Sequence, residues 1–591
     1  MNIINERLAA VRNLMEEKGF DALIVSSADP HGSEYVADRY QNRVWLSGFT
    51  GSAGTIIVTL NEALLWVDSR YYIQGEQQIE GTDFSLMKLD YKGTLDPISW
   101  LKKSLKEGST VAFEYLSFPL SYLRKLKEKL DAKKIEIVDA NSFFDQVWKE
   151  RKASPFSKVK EVSVNIVGQS REEKIGAIQK RIKELGCSAT IISSLDDIAW
   201  ILNLRGDDVP FNPLFMAYLI ISTKETFLFT DLKRFDEKLK TKLTESVTIL
   251  EYDHIFSEVK DIVKEGDVIY YSPDKTSVAL ANTFIKTNKS VEGLDISTML
   301  KACKNETELE MMRKAHILDG LAIVKLLHLL SKKNQSFTEI TLAEKLEQFR
   351  QESKYYLGPS FGTIAGFGEH GALAHYSATK ESSFELVGDN LLVLDSGGQY
   401  EFGTTDITRT LLFGKSNKQM RNDYTLVLKG NLALTKQLFP EGTNGYQLDV
   451  LARQFLWQNS LNYGHGTGHG VGFYLNVHEG PQNISQRAIL VELKEGMIIS
   501  NEPGLYREGQ YGIRIENLVA VKQTAKSSFG NFLGFEVLTL APFERKLINK
   551  NLLTNEEIEM VDTYHSWVYS KLKEHLADEV AAFLKEATLP L

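Results

Sequence analysis

The chain has 591 residues, more than one hydrophobic core accommodates, so two to four domains are expected. Hydrophobic residues make up 43% and charged residues 25%, the balance of a water-soluble globular protein, and no run approaches 18 uninterrupted apolar residues, so no membrane partner is expected. A net charge of −9 argues against nucleic acid as the main partner, and two cysteines, Cys187 and Cys303, are too few for a disulfide framework.

Met1 to Lys18 carries Glu6, Glu16 and Glu17 and lacks the basic start and apolar stretch of a secretory signal. With the cysteine usage, this points to the cytoplasm. Leu8, Val11, Leu14 and Met15 share one face, which predicts a helix over Glu6–Lys18 closed by Gly19. An apolar strand follows at Ala22–Ser27. The same order returns 167 residues later: a helix over Ile175–Leu185, Gly186, and a strand at Ala189–Ser194. Each copy continues into a tryptophan-led apolar run, at Trp45-Leu46 and Trp200-Ile201-Leu202. Each then shows a strand ending near an aspartate, Leu64–Asp68 and Thr226–Asp231. The sequence therefore reads as two copies of one α/β unit. The polar stretch Lys149–Lys160, with Ser154-Pro155, reads as the linker between them. A long helix, Glu306–Leu330, opens the remainder, with Glu306 and Glu308 at its positive end. The expected domains are 1–153, 154–300 and 301–591.

Five of the eleven histidines lie between 370 and 478, so the third domain carries the chemistry. The apolar strand Leu391–Leu394 runs into Asp395-Ser396-Gly397-Gly398, and Asp406 follows inside the β-branched stretch Thr404–Thr410. The pair reads as a hairpin with two facing aspartates, which repel unless a proton or cation lies between them. His465-Gly466-Thr467-Gly468-His469-Gly470 sets two imidazoles among glycines, and His478 adds a third within fourteen residues. The strand Ile498–Asn501 ends in Glu502-Pro503-Gly504, and Arg514 and Glu516 are spaced for one strand face. Asp395, Asp406, His469, Glu502 and Glu516 make an oxygen-rich ligand set that suits Mn²⁺ better than a structural zinc. Two divalent ions balance four carboxylates. Neither His-Glu-x-x-His nor Gly-x-Ser-x-Gly occurs, so zinc-protease and serine-hydrolase readings have no support.

These strings resemble the metallopeptidase family that includes methionine aminopeptidase, prolidase and aminopeptidase P, with the pita-bread catalytic fold. LDSGGQYEFGTTDITRT, HGTGHGVG, NVHEGP, NEPG and GIRIEN carry the resemblance in the third domain. SGFTGSAGT at 47–55, IAWILNLRGDDVPFNPLF at 198–215 and KNETELEMMRKAH at 304–316 extend it to the long, three-domain form. The resemblance implies an α/β (α+β) chain with two related creatinase-like domains before the catalytic one. It implies that Asp406 and Glu516 bridge two ions, that Asp395 completes one, and that His469 and Glu502 complete the other. His375, His465 and His478 become non-ligand histidines around the substrate, and Tyr506 and Arg514 hold the carboxylates. The implied reaction is hydrolysis of the bond between an N-terminal residue and a following proline, in a homodimer. A prolidase restricted to dipeptides and an inactive binding protein on the same fold are the alternatives.

Overall fold

The computed structural model describes residues 2–332 and 335–591. The chain divides into two compact units, one of Met1–Val164 with Gln169–Thr298 and one of Asn165–Gly168 with Met299–Leu591.

In the first unit the opening helix spans Ile3–Lys18. It starts earlier than the periodicity predicts because the Asn2 side chain accepts from the Ile4 amide at 3.0 Å and caps it. Gly19, at φ 70°, ends it in the left-handed conformation that glycine adopts without steric penalty. The second copy repeats the device: a Ser170–Glu173 capping box opens Arg171–Glu184, and Gly186 follows at φ 67°. The strands that come next, Ala22–Val25 and Ala189–Ile192, are buried at every residue.

Each strand sits inside a six-stranded sheet. The first sheet runs Ser85–Lys88, Ala63–Val67, Thr55–Thr59, Ala22–Val25, Thr110–Phe113, Glu136–Asp139. The second runs Thr248–Leu250, Thr226–Phe229, Tyr218–Ser222, Ala189–Ile192, Val268–Tyr271, Lys289–Glu292. The two agree in strand order and in which neighbours are parallel: Ala22 lies parallel to Val111 as Ala189 does to Ile269, and the next strand is antiparallel in both. The duplication read from helix, glycine and strand is thus a duplication of topology. The copies also share one apolar core, to which Trp66 and Phe113 contribute from one sheet and Tyr218 and Tyr271 from the other. Backbone hydrogen bonds join them, Leu120 N to Thr276 O at 3.0 Å and Val278 N to Phe118 O at 2.9 Å. That shared burial is why two repeats form one unit.

The second unit opens with the helix Glu306–Ser331, capped by an Asn305–Glu308 box. It holds a six-stranded antiparallel sheet in the order Phe439–Pro440, Gly530–Val537, Asn517–Ser527, Ile498–Asn501, Gly468–Gly470, Glu479–Ile484. A three-stranded sheet, Ile364–Phe367, Asn390–Ser396, Ile407–Phe413, and the hairpin Gly504–Arg507 with Tyr511–Arg514 complete the frame of the site. Among the described residues no helix is long and apolar enough to cross a membrane.

Candidate metal centre

Strand ends place the five residues. Asp395 is the next-to-last residue of Asn390–Ser396, which pairs with Ile407–Phe413 in the register Asp395 to Thr408. The expected second strand is interrupted at Thr405-Asp406. There the Thr405 hydroxyl and carbonyl bond to Gly398 N and Ser360 Oγ in place of the ladder, so Asp406 lies at a junction between strands. The expected single strand through Arg514 and Glu516 is two strands. Tyr511–Arg514 pairs in the hairpin, and Asn517–Ser527 joins the large sheet. At the crossing, the Glu516 amide donates to Thr408 O at 3.1 Å and the Glu516 carbonyl accepts from Arg409 Nη1 at 2.6 Å. Glu502 follows the last residue of Ile498–Asn501, and its amide donates to Thr467 O at 2.8 Å.

The alternating glycines allow close backbone contact. A Cβ on Gly468 would meet Ser500 O at 1.8 Å, and one on Gly470 would meet Glu479 O at 2.1 Å. This lets the short strand Gly468–Gly470 bring His469 against the carboxylates. His469 Nε2 lies 3.3 Å from Asp406 Oδ2 and 3.5 Å from Glu502 Oε1. Its Nδ1 lies 2.9 Å from Gly470 O, so this nitrogen carries the proton and Nε2 faces the carboxylates. Donor atoms of Asp406, His469 and Glu516 all fall within 4.8 Å of one another. Three of the ligand candidates are held by neighbouring side chains. Arg514 Nη2 donates to Asp395 Oδ2 at 2.5 Å, Thr408 Oγ1 to Glu516 Oε2 at 2.8 Å, and Ser500 Oγ to Glu502 Oε1 at 3.0 Å.

The electrostatics show what such a cluster needs. Burial, with Asp406 and other carboxylates nearby, pushes Glu516 well above the usual carboxylate range, and burial raises Asp395 despite the Arg514 guanidinium. Burial pushes Glu502 up to about 7. For His469 burial acts downward, but Asp406 and Glu502 outweigh it and hold the ring at about 9. The protein's own groups therefore leave these carboxylates short of positive charge. Asp395 Oδ1 is also buried and has no hydrogen-bond partner among the described residues. An oxygen-rich, charge-deficient cluster with one imidazole nitrogen turned inward fits hard divalent cations.

His478, Arg514, Tyr506 and His465 connect to this cluster directly or in sequence, and His375 lies on a segment tied to the strand bearing Arg514. The His478 and His469 rings are 4.3 Å apart and nearly perpendicular. His375 is half-buried, on the segment after Gly368–Ala372, whose Gly371 packs so tightly on Gly512 that a Cβ there would meet Gly371 O at 1.7 Å. That contact ties the His375 segment to the strand bearing Arg514. His465 Nδ1 is 2.7 Å from Gly466 O and Nε2 is 2.8 Å from Tyr506 OH. Tyr506 OH in turn accepts from Arg514 Nη1 at 2.6 Å. A hydrogen-bonded chain thus runs from Asp395 through Arg514 and Tyr506 to His465. Burial first of all raises Tyr506 to about 12, so its hydroxyl keeps its proton.

Three contributors escaped the sequence reading. Thr408 bonds both Glu516 and Arg514 Nε, and its only signal is its place two residues after Asp406. Arg409 is fully buried and donates to Thr408 O, Glu516 O, Ala541 O, Pro542 O, Asn517 Oδ1 and Tyr564 OH. Arg453, paired with Asp449, donates to Tyr463 O and His465 O and so anchors the histidine loop. In sequence it looks like an ordinary surface pair on a helix.

Comparison with known proteins agrees with this architecture. Residues 310–523 match the model of metallopeptidase family M24, and 531–591 match the C-terminal region of that peptidase. Residues 7–147 and 150–308 each match a creatinase/prolidase N-terminal domain model. The chain is 37% identical to Xaa-Pro aminopeptidase 1 of Dictyostelium discoideum, over 96% of this chain and 93% of that one. It is 36% identical to aminopeptidase P2 of Arabidopsis thaliana, over 96% and 86%. The crystal structure of X-prolyl aminopeptidase from Caenorhabditis elegans, described as a cytosolic enzyme with a di-nuclear active site, superposes with a TM-score of 0.95 at 34% identity, covering 100% of both chains. With two creatinase-type N-terminal domains before its matching catalytic region, and with relatives at 36–37% identity along its length, the chain belongs to metallopeptidase family M24, among the Xaa-Pro aminopeptidases.

Proposed function

We propose that this protein removes the N-terminal residue from peptides whose second residue is proline, using two divalent cations, Mn²⁺ by preference. The observation that carries the reading is the convergence of Asp406, His469 and Glu516 donor atoms within 4.8 Å, in a cluster whose buried carboxylates lack compensating charge. Asp395, Asp406, His469, Glu502 and Glu516 are the residues that hold the ions. When bound, the ions polarise the scissile carbonyl and make a water nucleophilic at neutral pH.

The protein's own groups do the rest. Arg514 and Thr408 keep Asp395 and Glu516 in place. The Glu502 carboxylate, held by the Ser500 hydroxyl, carries a proton away from the attacking water and returns it to the leaving nitrogen. His375 and His478 orient the residues on either side of the bond and stabilise the developing oxyanion, and His465, braced by Tyr506, lines the same space. A bond to proline offers no N–H, so recognition rests on the carbonyl and the free amine rather than on a backbone donor.

Domain limits at 1–153, 154–300 and 301–591, a homodimer and a cytoplasmic location complete the reading. The Caenorhabditis elegans relative, described as cytosolic, supports the location.

The test is release of the first residue from matched X-Pro-Pro and X-Ala-Ala peptides, with Mn²⁺ and after chelation. Metal-dependent cleavage of the proline peptide alone is expected. Equal cleavage of both refutes the proline specificity. Cleavage of X-Pro dipeptides only makes the enzyme a prolidase.

A further inference from the structure

Immediately after His478 comes Glu479, whose carboxylate is fully buried against two lysines. Lys304 Nζ lies 2.5 Å from Glu479 Oε1, and Lys301 Nζ lies 3.3 Å from Oε2. All three side chains are at most 2% exposed. A buried carboxylate shared by two ammonium groups is an arrangement that apolar residues of similar volume would often replace without loss of stability.

The location of the three residues gives the arrangement a role. Lys301 is in the last turn of Ile296–Ala302, and Lys304 lies just before the cap of Glu306–Ser331. Both lysines fall in the stretch that matches the second creatinase-type domain model, 150–308, and both pack in the unit that holds the metal centre. Their segment is fixed at the site's other side as well. The Lys304 amide donates to Gly496 O at 2.9 Å, and Cys303 bridges to Met497, just before the strand that ends at Glu502. Glu479 itself pairs with Gly470, next to His469, and its Oε2 lies 3.1 Å from where a Cβ on Gly472 would be. The carboxylate is therefore tucked beneath the turn that carries His478.

We propose that Lys301 and Lys304 are positioning residues: through Glu479 they fix the His478 imidazole relative to His469, so the segment before the catalytic domain completes the substrate side of the site. The inference rests on the proposed aminopeptidase reading only in the activity it is tested with. Two lysines sharing one carboxylate also make the device asymmetric. Lys304 makes the shorter contact, so removing Lys301 leaves the direct Lys304–Glu479 pair in place.

The test uses the full-length enzyme and compares Lys301→Met, Lys301→Arg, His478→Ala and Lys301→Met/His478→Ala with the unaltered chain. Metal content, melting temperature, kcat and KM on X-Pro-Pro are measured, and the ¹⁵N-imidazole NMR signals are recorded with diamagnetic Zn²⁺ in place of Mn²⁺. Lys301→Met is expected to bind metal as the parent does and to lose about tenfold to a hundredfold in kcat/KM. Its His478 signals should shift while those of exposed His254 stay in place. Arginine at 301 should restore most of the activity, and the double variant should lose little more than His478→Ala alone. A lower melting temperature with unchanged kcat, KM and His478 signals overturns the proposal, as does full additivity of the two substitutions. If the unaltered enzyme does not cleave the peptide, the aminopeptidase reading fails, and the His478 signals alone decide the positioning role.

Discussion

The two units bury their sheets in opposite ways. In the first, the central strands Ala22–Val25 and Ala189–Ile192 are buried and apolar apart from Thr190, and most charge pairs lie toward the surface, as Lys134–Glu107 does. In the second, Ile498–Asn501 is equally buried but passes from Ile498 and Ile499 to Ser500 and Asn501, then ends on Glu502. Apolar burial needs only neighbours of the right volume. Polar burial needs directed partners: Ser500 Oγ accepts from the His469 amide and donates to Glu502, and Asn501 Nδ2 donates to Asn431 O. The first unit holds a shape with redundant contacts. The second holds a charge cluster with specific ones.

The sharpest break of that comparison is Asp406→Asn. It should lower kcat by about a thousandfold, ~4 kcal/mol of barrier, and lower the metal content measured by elemental analysis. In the chelated protein the same change should raise the melting temperature, because it removes one of several crowded charges. A chelated variant that melts lower than the chelated parent would refute the charge-deficient description.

Ile191→Ala probes the other unit. It should destabilise by about 2–5 kcal/mol in denaturant titration while the folded fraction keeps its kcat. An equal loss of kcat per folded molecule would show that the apolar unit is not separable from the chemistry.

Thr408→Val should weaken metal binding or activity by about tenfold to a hundredfold, since it strips a hydroxyl shared by Glu516 and Arg514 and leaves the fold intact.

Acidity separates the units further. Asp395, Glu502 and Glu516 have raised folded-state values, so in chelated protein they favour the fold at low pH, and that contribution is lost as pH rises through about 7 for Glu502. His469 has the same sign and loses its contribution as pH rises through about 9. Cations require the deprotonated forms, so the melting gap between loaded and chelated enzyme should widen from pH 5 to pH 9. A constant gap would rule this out. The smallest effect belongs to Lys134→Ala, which breaks an exposed pair with Glu107 and should shift stability by ~0.5 kcal/mol or less.

Legibility followed the same division. The helix, glycine and strand of each repeat were readable because caps and apolar runs act over a few residues, as Gly19 and Gly186 show. The five acidic and histidine candidates were readable because each is a polar, chemistry-bearing residue in or next to an apolar, β-branched or glycine-rich strand segment, as Asp395 after Leu391–Leu394 and His469 between Gly468 and Gly470 show. The breaks at Thr405-Asp406 and Ile515-Glu516 were not readable, because hydroxyl and guanidinium partners far along the chain replace the ladder there. Arg409, Arg453 and the Lys301–Glu479–Lys304 group were hidden for a related reason: their burial is set by elements up to about 180 residues away.

The sequence by itself determined the two α/β repeats, the acidic and histidine residues of the site, and the resemblance that points to hydrolysis before proline. These depend on local spacing, on the order of motifs, and on residue types that carry chemistry. Only the tertiary structure decided that the repeats share one core, that Asp406, His469 and Glu516 converge, and that Arg514 and Thr408 bond to Asp395 and Glu516. Convergence of charge is a property of strands that meet across the chain, and a buried charge is stable only where distant elements bring it a partner.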